Sequence, residues 1–122
     1  MTLQELYAAI EGDYQQATRI LRMDKLIDKH IRKFENNEAV KSLIAAGDTM
    51  DPTALFESAH AVKGVCGNLG LVKLADAASA VTEEFRPGAA RKLSDDEVKA
   101  KLAEVARLYD LAVEGIRRYA AE

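Results

Sequence analysis

A chain of 122 residues is close to the common size of one domain and long enough to bury a single hydrophobic core. With 48% hydrophobic and 30% charged residues it should pack rather than stay disordered. Its net charge of −3, with both signs interleaved, lacks the basic footprint of a nucleic-acid binder.

No apolar run approaches the roughly 20 residues that span a bilayer. The N-terminus has no basic stretch followed by an apolar core, so no signal peptide is expected, and the protein should be cytoplasmic with no membrane partner. Few glycines and prolines, no tryptophan, and abundant Ala, Leu, Glu and Lys favour helices throughout.

In chain order, Thr2 to Glu5 reads as a capping box, and Leu3, Leu6, Tyr7 and Ile10 follow at helical spacing until Gly12. Asp13 caps a second helix, with Gln16 three residues on and Ile20 and Leu21 along its apolar side. The pair Met23-Asp24 should break it, Asp24 capping a helix whose stripe is Ile27, Ile31 and Phe34. Asn36 or Asn37 starts the next segment, with Val40, Leu43 and Ile44 inward and Gly47 as its stop.

Asp51-Pro52, a cap followed by Pro at the first helical position, opens a helix that should run to about Asn68. Gly67, Asn68 and Gly70 make a tight exit, and Leu71 begins another helix with Leu74, Ala75, Ala78, Val81 and Phe85 inward. So short a connection makes these two helices antiparallel neighbours. Pro87-Gly88 opens a loop over residues 87–93. A second capping box, Ser94-Asp95-Asp96-Glu97, then starts the longest helix, striped with Val98, Leu102, Val105, Tyr109, Ala112 and Ile116. Arg117 and Arg118 near its end suit the negative pole of the helix dipole.

No strand alternation, hairpin signal or internal repeat is present. The expected fold is all-α: an antiparallel four-helix bundle with short additional helices at the N-terminal end, the whole of residues 1–122 making one domain. A monomer is expected, because the apolar stripes can satisfy one another within one bundle.

The helix opened by Asp51 carries the chemistry. Residues three and four apart share a face, so His60, Lys63, Gly64 and Gly67 lie together. Leu55, Ala59, Val62, Cys66 and Leu69 make the opposite, apolar stripe. Cys66, the only cysteine, therefore reads as core rather than as a redox thiol. A helical glycine costs about 1 kcal/mol relative to Ala. Two on the side bearing the histidine suggest that another surface comes close there.

Elimination narrows the chemistry. His30, His60 and Cys66 make no metal-ligand spacing. No Gly-rich loop follows a strand to cradle a nucleotide, and no serine or cysteine nucleophile has a base placed by motif. The carboxylates fall on caps and solvated faces. His30, at the edge of the Ile27–Ile31 stripe, reads as a structural or surface residue. His60 remains. A neutral imidazole offers a ring nitrogen as nucleophile, and Lys63 one turn on could offer a positive charge to a phosphoryl group placed there. Gly64 and Gly67 would let a partner active site descend onto the ring. Such an arrangement accepts and donates a group but cannot activate one unaided.

His60-Ala61-Val62-Lys63-Gly64, followed by Asn68-Leu69-Gly70-Leu71 and Leu74, resembles the motif of the histidine phosphotransfer (HPt) domain, and the helix pattern fits along essentially the whole chain. Leu6-Tyr7 through Gly12-Asp13-Tyr14 is similar to the beginning of one branch of that family. The resemblance implies a phosphoryl carrier with no enzymatic activity. Phosphate would pass between His60 and the aspartate of a response-regulator receiver domain, or a hybrid histidine kinase, in a two-component phosphorelay. It further implies Lys63 as the phosphate's neighbour and Gly64 as the small residue that keeps the histidine accessible, with Gly67 one turn beyond on the docking face. By position around His60, Glu57 and Lys63 are candidates for partner specificity on that docking surface, with Ser58 and Ala61 at its margins. No cofactor is expected on this chain; Mg2+ would belong to the partner receiver. Two other readings are a helical adaptor that binds a receiver or kinase without carrying phosphate, and the phosphoacceptor segment of a chemotaxis-type kinase.

Overall fold

Seven α-helices and no strand make up the computed structural model, which describes residues 1–122: α1 (Leu3–Ala9), α2 (Tyr14–Leu21), α3 (Asp24–Phe34), α4 (Glu38–Thr49), α5 (Pro52–Asn68), α6 (Val72–Glu84) and α7 (Asp95–Ala121). Five begin at side-chain caps, because a polar oxygen just before the first turn takes up a backbone N–H that has no helical partner. Those caps are Thr2, Asp13, Asn37, Asp51 and Ser94. At Thr2 and Ser94 the reciprocal bond from Glu5 or Glu97 completes a capping box.

Helices α4 to α7 form the four-helix bundle: α4 packs on α5, α5 on α6, α6 on α7, and α7 closes the ring against α4. The three short helices build onto it. α1 lies against α7, α3 against α7, and α2 against α5. The core holds 29 buried apolar residues and draws on every helix. All five residues of the α5 stripe, Leu55, Ala59, Val62, Cys66 and Leu69, are inside it.

Three local expectations fail for identifiable reasons. Asp24 is not a cap. The break falls at Arg22, whose φ is 71°, and Met23 begins α3 without a side-chain bond. The Asp24 carboxylate instead accepts the Tyr14 hydroxyl. Gly47 does not stop α4. That helix runs on to Thr49 and ends at Met50 in the left-handed region, while Gly47 admits α7: a Cβ there would lie 2.6 Å from Leu102 Cδ1. Ile20 is 45% exposed, since the only buried residue of α2 is Ala17. With Met23 at 55% and Leu26 at 37%, it forms the set of large apolar side chains that face water.

The α5–α6 corner fixes where α5 ends. Gly70 there has a φ of +72°, and a Cβ on it would meet the Asp13 carbonyl at 2.3 Å, so only glycine fits. Its own carbonyl accepts the Asp13 N–H at 2.7 Å, which joins the start of α2 to the end of α5.

Candidate functional site

Asp51 accepts the Ala54 N–H at 3.2 Å and Pro52 fills the first turn, so α5 starts sharply and its register is set. With the stripe from Leu55 to Leu69 turned inward, the helix must present the opposite arc to solvent. On that arc His60, Gly64, Glu57 and Ala61 are exposed, and Lys63 and Gly67 are half-buried. The six residues singled out from the sequence therefore share one face, with His60 in the middle of the helix.

Neither Gly64 nor Gly67 would bring a Cβ within 4 Å of any neighbouring atom. Intramolecular packing does not explain them, in contrast to Gly47. They leave a low strip beside the imidazole. Gly67 also takes a bond from across the groove, where Gln16 Nε2 of α2 donates to its carbonyl at 3.3 Å. Ser58 is off this face: it is buried, and its hydroxyl donates to the Ala54 carbonyl at 2.6 Å. Burial pushes the Cys66 thiol up to about 12, which keeps it protonated and inert.

Three neighbours escaped the sequence reading. The Phe56 ring, one turn before His60, stacks on the imidazole with centroids 5.8 Å apart and planes 13° from parallel. Its position four residues earlier on the same face is a signal the sequence held. From just beyond the end of α6, the Arg86 guanidinium lies over the Phe56 ring with Cζ 5.6 Å from its centroid. Arg86 is itself gripped by both Glu83 oxygens, at 2.8 and 3.2 Å. That contact holds the Glu83 carboxyl below its usual range, with Lys63 adding a smaller pull. The last two depend on how α6 lies along α5 and have no sequence signal.

His30 is exposed on α3, at a cavity of about 250 Å³ that Lys33, Phe34, Asn37 and, from the end of α5, Val65 and Asn68 also line. No three His, Cys, Asp or Glu side chains gather in a way that could hold a metal ion. No helix is long and apolar enough to cross a membrane. What the α5 face offers is an exposed imidazole, an ammonium one turn away, and open space at the two glycines beside them.

Residues 2–115 match the family model described as Hpt domain. No curated protein and no solved structure matches the chain.

Proposed function

Because the chain belongs to the Hpt domain family, whose members carry phosphoryl groups in two-component phosphorelays rather than catalyse reactions of their own, we propose that it bears its phosphoryl group on His60. The carrying observation is the open ground around that side chain: an exposed imidazole in mid-helix, flanked by Gly64 and Gly67 with nothing within 4 Å of where their Cβ atoms would be. Two helical glycines on one face, each unfavourable by about 1 kcal/mol, are accounted for if a partner active site must come down there.

In this reading a receiver domain delivers an aspartyl phosphate. A neutral ring nitrogen of His60 attacks phosphorus, the N–P bond forms as the acyl P–O bond breaks, and the carboxylate leaves. The reverse step returns the group when the carboxylate attacks and imidazole departs. The Lys63 ammonium spreads the negative charge of the transferring oxygens. Glu57 and Ala61 border the contact. Mg2+ and nucleotide chemistry belong to the partners, which are receiver domains of response regulators or hybrid kinases, and the transfer is cytoplasmic. A core drawing on all seven helices supports one domain over residues 1–122, and a monomer is the state proposed for it.

Incubation with a phosphorylated receiver domain should label the protein at an acid-labile, base-stable site, and His60→Gln should abolish the label while helical content is kept. Binding to the receiver that survives His60→Gln, with no labelling of the parent, would instead make it an adaptor. Labelling obtained only from a dimeric kinase core would assign it to a chemotaxis-type kinase.

A further inference from the structure

We infer that Phe56 is a positioning residue for His60, setting the plane of the imidazole that receives the phosphoryl group, and that Arg86 holds Phe56 in place. The inference rests on the phosphoacceptor reading of His60, and it concerns a side chain outside the His60-to-Gly64 motif.

An exposed histidine on a helix ordinarily has two open χ1 wells and a broad, two-fold χ2. Only some of those states point a ring nitrogen outward along the line a partner's phosphorus must take. Helical side chains lean toward the N-terminus, so the His60 ring is carried back over residue 56. There it finds an aromatic surface rather than water, nearly parallel and 5.8 Å away between centroids. Offset aromatic pairs within about 7 Å favour the stacked state by roughly two- to tenfold. The stack thus selects ring orientations before a partner arrives, which is where preorganisation benefits a transfer step.

Phe56 can act in this way only if it is itself fixed. It is partly buried against the core. Arg86 lies over its ring, and the two bonds from Arg86 to Glu83 keep the guanidinium there. The segment that leaves α6 is therefore linked to the imidazole through two side chains, Arg86 and Phe56.

The test compares the parent with Phe56→Leu, Phe56→Tyr and Arg86→Gln in the full chain, by two readouts. In proton–carbon NMR spectra, the His60 ring protons of the parent should show an upfield ring-current shift and cross-relaxation to the Phe56 ring, with His30 as the unstacked internal control. Phe56→Tyr should keep the upfield shift, Phe56→Leu should abolish it, and Arg86→Gln should reduce it. In single-turnover transfer from a phosphorylated receiver domain, Phe56→Leu should slow the maximal rate roughly three- to tenfold, with half-saturating receiver concentration unchanged, and Phe56→Tyr should restore it.

Absence of the cross-relaxation in the parent overturns the inference even if Phe56→Leu does not fold. So does a parent-like maximal rate in a folded Phe56→Leu. A parent that shows the stack but accepts no phosphate sinks the reading of His60 instead, so the two failures are distinguishable.

Discussion

Tyr7 of α1 donates its hydroxyl proton to the carbonyl oxygen of Leu69 across 2.6 Å, tying the first helix of the chain to the residue that ends the histidine-bearing one. No backbone N–H donates to that carbonyl. Burial pushes the Tyr7 phenol far above its usual value, so it stays a donor at any pH the fold survives. Together with the bond from Asp13 to Gly70, this contact makes the short N-terminal helices a clamp on the end of α5. Tyr7→Phe keeps the ring and strands a buried acceptor, so it should lower unfolding free energy by about 1–3 kcal/mol. Urea denaturation of the two proteins checks it. A loss below about 0.5 kcal/mol would mean that water replaces the phenol at the corner.

The glycines separate into two groups, and a single substitution tells them apart. Gly64→Ala adds a methyl group to open solvent and removes a helical glycine, so it should stabilise the fold by up to about 1 kcal/mol. Gly115→Ala does the opposite. Its Cβ would lie 2.4 Å from Ile10 Cγ2, where α1 meets α7, and overpacking there should be unfavourable by roughly 1–3 kcal/mol. On the function side, Gly64→Gln should fold normally yet slow transfer from a receiver by roughly tenfold or more, because a long side chain then stands over the approach to His60. Thermal unfolding and single-turnover labelling read the two effects separately. Unimpeded transfer in Gly64→Gln would remove the docking explanation for that glycine.

Cys66 tests the packing of the same helix from its other side. The thiol is fully buried, and burial pushes its pKa up to about 12. Only thiolate attacks disulfide reagents. The native protein at pH 8 should therefore react with a chromogenic disulfide at the rate of its unfolding, and one equivalent should titrate immediately in denaturant. Prompt reaction without denaturant would show that the α5 stripe opens locally.

Most of this architecture was legible because it depends on neighbours in sequence. A cap needs one polar oxygen beside an unsatisfied N–H, and Thr2, Asp13, Asn37, Asp51 and Ser94 all supply it. Two of the misreadings, at Asp24 and Gly47, share a cause, which is competition from a distant group. Asp24 has the right chemistry for a cap, but the Tyr14 hydroxyl takes its carboxylate. Gly47 has the right chemistry for a stop, but it sits inside the helix, where the Leu102 side chain packs into the space a Cβ would take. At the candidate site the division is the same. His60, Lys63, Gly64 and Gly67 follow from helical spacing, and Phe56 could have followed from it. Arg86 could not, since its place over Phe56 is decided by the packing of α6 along α5.

Glu84 gives the pH dependence its clearest single source. It sits at the end of α6 with its side chain only 4% exposed. Its carboxylate accepts Arg91 Nε at 2.6 Å and the backbone N–H groups of Lys92 and Leu93 at 3.0 and 2.9 Å, which fastens the α6–α7 loop onto the bundle. Burial by itself would raise the pKa of this group. The Arg91 pair and the two N–H bonds together outweigh it and hold the carboxyl below its ordinary 4.5. A carboxyl that is more acidic folded than unfolded stabilises the fold above its unfolded value and loses that contribution as pH falls through the folded one. Glu84→Gln should thus be less stable than the parent at neutral pH. The gap should hold down to about pH 5 and shrink as the pH drops below 4.5. Comparing the two proteins at each pH cancels the titration of every other carboxylate, so urea midpoints measured between pH 7 and pH 3 report this one group. A gap that stays constant across that range would mean that the loop is held by the shape of the side chain and not by its charge.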